Sequence, residues 1–259
     1  MPVRVSFGHS PWPLAPILYP LSPNMCGRFT LRTPATVIAA HFGLFEVPPF
    51  SPRFNIAPSQ PVPVVRLRTE GQAPPQREWT WLHWGLIPRW AKNVSVGNQM
   101  INARAETVAE KPAYRAAFRR HRCWVAADGF YEWRQSGPRK QPYYLSMHDH
   151  RPFAFAGLWE HWTGPNLSTI ESCAILTTEA NAVLRPLHDR MPVILAPEEY
   201  ARWLDTNVQE AGELTRLLDP YPADEMSAYA VDPRVNSPSH DDPSCIAPLP
   251  QRAEQQSLF

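Results

Sequence analysis

The sequence lacks long apolar runs, paired cysteines and net charge, and each absence excludes a class of protein. No apolar stretch approaches the roughly 20 residues that a membrane-spanning helix needs. The four cysteines are widely spaced without a CxxC pair, which disfavours a zinc or thioredoxin-like site and a disulfide framework. With a formal net charge of +1, any contact with nucleic acid must depend on a local basic patch. We therefore expect a cytoplasmic, monomeric protein without metal, cofactor or membrane partner.

Phosphate-binding glycine loops are also missing, because neither GxGxxG nor a Walker loop occurs. The 31 prolines and ten tryptophans indicate many loops around a packed core. Short alternating or apolar segments predict strands, with no βαβ alternation. The strand candidates are CGRFTLR, PVPVVRL, REWTWLHWGL, RCWVAADGFYEWR, KQPYYLSM, PFAFAGLWE, ESCAILTT, PLHDRMPVIL and MSAYAV. Together they predict an α+β fold, in which one strand-rich domain has a mixed or antiparallel curled sheet and a few flanking helices.

Helices are expected at four places. Thr33 is predicted as an N-cap with Pro34 at the first helical position, and Gly43 as the helix end. Residues 111–121 are predicted to form a helix that ends in basic residues. PEEYARWL and QEAGELTRLL supply the last two helices. Turns are expected at Asp128-Gly129 and at residues 136–138.

Three regions follow from composition. Residues 1–25 form a proline-broken leader without a signal-peptide apolar core or cleavage site, ending in the initiator-like Met25. Residues 26–248 are the predicted domain, and 249–259 a disordered tail. The leader is either untranslated, because translation begins at Met25, or removed by the protein itself. The first explanation is favoured, because the leader shows no architecture of its own.

Cys26 directly follows Met25, and removal of that Met would leave an α-amine and a thiol on one residue. Both groups are partly nucleophilic near neutral pH. The amine forms a Schiff base with an aldehyde, and the adjacent thiol closes a five-membered thiazolidine ring with the effective molarity of an intramolecular reaction. The ring-opened sugar of an abasic site in DNA offers such an aldehyde.

Polar residues within strand-like stretches supply the rest of a site. Glu132 and His188 are candidates for proton transfer during ring opening and Schiff-base formation. Asn102 is suited to hydrogen-bond the sugar, and Arg104 and Arg190 to bind phosphates.

The segments MCGRF, RFNIAPSQ, WGLIPRWA, INARAET, DGFYEWR, KQPYY and LHDRMPVIL, in this order, resemble the SOS-response-associated peptidase (SRAP) family. The resemblance runs from Cys26 to about Leu195 and implies the SRAP fold and covalent shielding of abasic sites in single-stranded DNA. It further implies that Cys26 is the crosslinking residue, surrounded by the catalytic residues Asn102, Glu132 and His188. Arg28, Trp90, Arg104 and Arg190 match DNA-contacting positions. The residue after that aromatic, often a second Trp in bacterial members, is here Ala91.

Other interpretations stay open. The protein could be a thiol peptidase acting on other proteins, or a non-covalent single-stranded DNA-binding module. The basic run at 119–122 could be a solvated helix end favoured by the helix dipole, or a phosphate patch. The other three cysteines are interpreted as structural or incidental.

The C-terminal tail resembles the pentapeptide by which bacterial proteins bind the replication sliding clamp. Its pattern residues here are Gln255, Ser257, Leu258 and Phe259. A polar tether ending in two apolar anchors suits folding on binding to a preformed pocket. The sliding clamp is therefore a second expected partner, beside single-stranded DNA that contains abasic sites.

Overall fold

A computed structural model describes residues 26–68, 74–137, 139–165 and 167–250. The leader 1–25 and the clamp-like residues 255–259 lie outside them. The strands are β1 (Phe29–Leu31), β2 (Arg53–Ile56), β3 (Pro61–Arg68), β4 (Gln76–Trp84), β5 (Asn102–Arg104), β6 (Arg122–Ala127), β7 (Gly129–Ser136), β8 (Arg139–Met147), β9 (Phe153–Thr163), β10 (Thr169–Glu179), β11 (Arg190–Pro192), β12 (Ile194–Leu195) and β13 (Met226–Ala230). The α-helices are α1 (Ala35–Phe42), α2 (Arg115–Arg120), α3 (Tyr200–Leu204) and α4 (Ala211–Thr215). These elements confirm the predicted strand-rich α+β fold.

The larger of two sheets closes on itself. Its strands follow the order β11-β10-β4-β3-β6-β9-β12, and β10 also pairs with β9, so β10, β4, β3, β6 and β9 form a closed circuit. The sheet is mixed, because β10 runs parallel to β4 and β5 and antiparallel to β9 and β11. Closure removes exposed strand edges around the barrel-like core.

The second sheet has five strands in the order β13-β8-β7-β1-β2. Aromatic side chains join it to the closed sheet. Phe29 of β1 lies edge-on to Trp84 of β4 and to Phe155 of β9, with centroid distances of 5.2 and 5.9 Å. All three rings are buried, and such edge contacts stabilise a core beyond the area they bury. The short strand β1, which begins three residues after Cys26, is thereby fixed against the barrel.

Asp128 marks the point where the chain crosses from one sheet to the other. β6 pairs within the closed sheet and β7 within the five-stranded one, so the predicted Asp128-Gly129 turn is a bend between sheets. The buried Asp128 carboxylate accepts hydrogen bonds from Thr30 Oγ1 at 2.6 Å, Arg32 N at 2.6 Å, Thr33 N at 2.7 Å and Thr33 Oγ1 at 2.8 Å. The prediction that Thr33 caps α1 is therefore wrong, because Asp128 holds its hydroxyl and the helix starts at Ala35.

The remaining helix predictions are confirmed in place but not in length. Gly43 ends α1 in the left-handed conformation (φ 58°), and Leu44 N donates to Ala39 O at 2.9 Å in a Schellman-type cap. The helix predicted over 111–121 is α2, which is limited to six residues because hydrogen-bonded turns occupy the preceding segment. None of the helices in the described ranges is long and apolar enough to cross a membrane.

Candidate active site and nucleic-acid interface

Cys26 and Glu132 are brought together by the pairing of β1 with β7. The antiparallel register places Phe29 opposite Phe130, so the residues before β1 lie beside Glu132. Cys26 N donates a hydrogen bond to Glu132 Oε1 at 2.6 Å, with Cys26 1% and Glu132 3% exposed. Cys26 also has a positive φ of 40°, which strains the backbone of a non-glycine residue and is typical of functional sites.

Burial sets the protonation of both side chains. It raises the pKa of Glu132 to about 7, despite hydrogen bonds from the N–H groups of Cys26 and Trp133 and the charge of Lys140; Asp189 raises it further. Burial, reinforced by the charge of Glu132, likewise raises the pKa of the Cys26 thiol. The carboxyl is therefore near half-ionised at neutral pH, while the thiol keeps its proton.

His188 shares the electrostatic surroundings of Glu132. Burial lowers the pKa of His188, the charges of Lys140 and Arg190 lower it further, and Asp189 opposes them. Its Nδ1 lies 3.1 Å from Arg190 N and 2.8 Å from Asp189 Oδ1. One nitrogen cannot accept from the first and donate to the second. The lowered pKa favours the neutral ring that accepts from Arg190 N–H, which leaves the proton on Nε2.

Arg190 is held beside β10 by the carboxylate of Glu106, for which the sequence predicted no role. Its guanidinium contacts the Glu106 carboxylate at 2.5 and 3.0 Å and Thr177 O at 2.7 Å. Burial alone would raise the pKa of Glu106, but hydrogen bonds from Arg190 and the charges of Arg190 and Arg104 lower it below its usual value. Arg104 lies opposite Thr177 where β5 pairs with β10. Arg104, Glu106 and Arg190 thus form one charged edge.

Asn102 and Trp90 lie on neighbouring segments. Asn102 begins β5, and its carbonyl accepts a hydrogen bond from Tyr114 Oη at 3.2 Å. Trp90 is 65% exposed in a turn whose Ala91 carbonyl accepts from Trp162 Nε1 at 2.7 Å. An exposed indole on an anchored turn is suited to stacking on a nucleic-acid base or into the gap left by a missing one.

Arg28 lies inside the protein. Its guanidinium donates to Asn55 Oδ1 at 2.9 Å, Val235 O at 2.7 Å and Asn236 O at 3.0 Å. Burial lowers its pKa to about 10, which still leaves it charged at neutral pH. These bonds fasten the segment before β1 to residues 235–236. A direct DNA contact by Arg28 stays a prediction. Such a contact requires that a phosphate share the Arg28 guanidinium with these three oxygen acceptors or take the place of one of them.

The sequence predicted no role for three charged residues near the site: Glu106, Lys140 and Asp189. Glu106 lies two residues after Arg104, so a continued alternation of the strand could have identified it as a neighbour. Lys140 and Asp189 change the pKa of Glu132 because strand pairing and loop packing bring the three residues together. The sequence gives no signal for this pairing and packing. No cluster of three or more potential metal ligands occurs within the described residues.

Comparison with known proteins identifies relatives of this chain. The family SOS response associated peptidase (SRAP) matches residues 25–238. The chain is 41% identical over 226 residues to abasic site processing protein YoqW of Bacillus subtilis (strain 168), covering 86% of this chain and 99% of YoqW. It is 29% identical to abasic site processing protein HMCES of Xenopus tropicalis, covering 77% of this chain and 67% of HMCES. A crystal structure of a protein from Bacteroides thetaiotaomicron is similar, with a TM-score of 0.73 at 26% identity, covering 86% of this chain and 100% of that one.

The family match includes the positions of Cys26, Asn102, Glu132 and His188, and YoqW is similar over almost its whole length. The chain therefore belongs to the SOS response associated peptidase (SRAP) family.

Proposed function

We propose that this protein processes abasic sites in single-stranded DNA by forming a covalent thiazolidine through Cys26, once that residue is N-terminal. The observation that carries the proposal is the 2.6 Å hydrogen bond between Cys26 N and the buried Glu132 carboxyl. It couples the nitrogen that would attack the sugar aldehyde to an acid–base group with a pKa of about 7. The names of YoqW and HMCES support abasic sites as the substrate class.

The chemistry balances without a cofactor. The neutral α-amine of Cys26 adds to the aldehyde of the opened sugar, and loss of one water gives a Schiff base. The thiol then adds to the imine carbon, its sulfur forming the new C–S bond and its proton going to the nitrogen. Glu132 is suited to take a proton from the amine and return it to the departing hydroxyl. A thiol held protonated by burial fits this order, in which nitrogen reacts first.

The surrounding residues are proposed to hold the lesion rather than to react with it. Neutral His188, with its proton on Nε2, can donate to a sugar or leaving oxygen, and Asn102 can hydrogen-bond the sugar. Arg104 and Arg190 supply positive charge for the neighbouring phosphates, and Trp90 supplies a face on which a base stacks.

A self-cleaving activity at the Met25–Cys26 bond is a second candidate. The positive φ of Cys26 costs about 1–2 kcal/mol in a peptide-linked chain, and cleavage before Cys26 releases that strain. In this step Glu132 would take the thiol proton as the Cys26 sulfur attacks the Met25 carbonyl and would pass that proton to the departing amine, and water would hydrolyse the resulting thioester. Either this reaction or translation from Met25 leaves the same reactive terminus.

Two other functions are less well supported. A peptidase acting on other proteins needs a thiolate, whereas burial keeps the Cys26 thiol protonated, and no imidazole in the described ranges is hydrogen-bonded to it. A non-covalent DNA-binding module would not need Cys26 beside a buried acid–base group.

The proposal extends to where the protein acts. The protein shields these lesions during the DNA damage response, in the cytoplasm and at replication forks. The clamp-like tail tethers it to the sliding clamp.

The test is the intact mass of the protein beginning at Cys26, before and after mixing with a single-stranded oligonucleotide that contains an abasic site. We expect a one-to-one adduct whose mass is the sum of both molecules less one water. Cys26→Ser keeps the amine but should give no stable adduct, only a Schiff base that borohydride traps. Cys245→Ser removes another thiol as the matched control and should react normally. An undiminished adduct with Cys26→Ala would overturn the proposal.

A further inference from the structure

A cavity of about 440 Å³ lies between the turn that carries Trp90 and the helix α2. Four of the residues that line it are arginines. The charged and titratable residues that line it are Arg89, Glu110, Arg115, Arg119, Arg120 and His121. This volume exceeds that of a single phosphate group, and the excess of positive charge favours an anionic occupant.

Only part of this charge is neutralised from within the protein. Arg89 Nε lies 3.1 Å from one oxygen of the buried Glu160 carboxylate, and His121 Nδ1 lies 2.7 Å from the other. In the described part of the chain no acidic side chain forms an ion pair with Arg115, Arg119 or Arg120. Glu110 supplies one negative charge to the lining, so a clear positive excess remains.

The helix dipole explains part of this pattern but not all of it. Arg119 and Arg120 lie in the last turn of α2, where the dipole favours cations. Arg115 is the first residue of the same helix, where the dipole opposes a cation, and it lines the same cavity. A solvated helix end therefore does not account for all three arginines, and a shared anionic ligand does.

The cavity adjoins the residues proposed to hold the lesion. Tyr114, which directly precedes Arg115, donates its hydroxyl hydrogen to the Asn102 carbonyl at 3.2 Å. On the other wall, Arg89 directly precedes Trp90, and its ion pair with Glu160 holds that turn against β9. The cavity therefore borders Asn102, through Tyr114, and the turn that carries Trp90, through Arg89.

We infer that this cavity binds backbone phosphates of the single strand that flanks the abasic site on one side. The inference rests on the proposed function and adds a strand path to it. Arginine is suited to this task because its planar group binds phosphate with two parallel hydrogen bonds. Arg115 and Arg119 carry the binding, whereas Arg89 is engaged by Glu160 and maintains the wall.

The experiment measures non-covalent affinity with oligonucleotides that carry a tetrahydrofuran abasic analogue, which has no aldehyde. A short oligonucleotide is compared with versions extended on the 5′ or the 3′ side, using Arg115→Gln/Arg119→Gln and the matched control Arg202→Gln/Arg216→Gln. We expect extension on one side to tighten binding to the wild type and the control, and not to the Arg115/Arg119 variant. For the extended probe, the salt dependence of binding should fall by about 1.4 in log–log slope, or about 0.7 for each lost phosphate contact.

The inference is overturned if extension on neither side tightens wild-type binding, if the Arg115/Arg119 variant keeps the full gain, or if the control loses it equally. Failure of the proposed function has a different signature, since wild-type protein would then form no adduct with a short aldehyde-bearing probe. Normal adduct formation by the Arg115/Arg119 variant with that short probe shows that it is folded.

Discussion

Replacement of Glu132 by Gln is expected to stabilise the fold and to slow the reaction. The side chain is 3% exposed, and its Oε1 accepts the Cys26 N–H at 2.6 Å. Glutamine is nearly the same size and keeps an oxygen acceptor at that position. The substitution therefore removes the buried charge while leaving the packing and the hydrogen bond from Cys26 N in place.

The magnitude follows from the pKa of the buried carboxyl. Its pKa rises from 4.5 to about 7 in the folded state, so the protonated form is the one that folding favours. The stability that this group contributes is fully present below pH 4.5 and is lost as the pH rises through about 7. One pKa unit corresponds to about 1.4 kcal/mol, so ionisation costs about 3 kcal/mol in alkaline solution. Between about pH 5.5 and about pH 8.5 the loss is about 2 kcal/mol.

Urea unfolding of the full chain at these two pH values is the assay, with Cys26→Ala in both proteins to prevent processing. The difference in unfolding free energy between Glu132→Gln and its parent should grow by about 2 kcal/mol from the lower to the higher pH. Other titrating groups are common to both proteins and cancel. A difference that does not change with pH, or a variant less stable at the higher pH, would refute the reasoning.

The same substitution should have the opposite effect on activity in the form that begins at Cys26. Loss of the acid–base group should slow single-turnover crosslinking about 100-fold or more. It should also remove the inflection near pH 7 from the rate profile. A variant that is more stable yet slower identifies Glu132 as chemical rather than structural, since a structural residue would lose both properties.

Three further outcomes are expected. Glu106→Gln should free the Arg190 guanidinium and tighten binding of an abasic-analogue oligonucleotide by up to about five-fold, because a half-exposed ion pair is worth up to about 1 kcal/mol. Glu213→Gln, which releases Arg202, is the control. Equal affinity of the wild type, Glu106→Gln and Glu213→Gln would contradict the idea. Asp128→Ala should lower the unfolding free energy by about 3 kcal/mol, because the part-buried N–H groups of Arg32 and Thr33 lose their acceptor. An unchanged urea midpoint would show that water replaces the carboxylate. Deletion of 255–259 should abolish capture by the immobilised sliding clamp and leave crosslinking intact, and undiminished capture would exclude the tail as the clamp ligand.

Local pattern was enough to place most elements. Alternation in REWTWLHWGL predicted β4, where Leu82 and Trp84 are buried and Trp81 is exposed. Gly43 ended α1 as expected, because only a residue without a Cβ adopts the left-handed conformation at little cost. The position of Cys26 after Met25 indicated the amine–thiol chemistry, because that chemistry needs nothing beyond one residue.

Long-range pairing was not readable from the sequence. Closure of the larger sheet through β9 and β10, and the crossing between sheets at Asp128, depend on which strands share a core, and strands of similar composition do not encode their partners. Thr33 shows the same limit, since its expected capping role was displaced by a carboxylate 95 residues away.

The same distinction between local pattern and long-range packing applies to the candidate site. The sequence by itself singled out the groups proposed to form the site: the thiol and nitrogen of Cys26, the carboxyl of Glu132 and the imidazole of His188. Only the tertiary structure decided their states, because burial raises the pKa of Glu132 to about 7 and lowers that of His188. It also engaged Arg28 internally and paired Arg190 with Glu106. Residue type fixes which reactions are possible, whereas dehydration and neighbouring charge, which exist only in the folded chain, fix which proton each group holds.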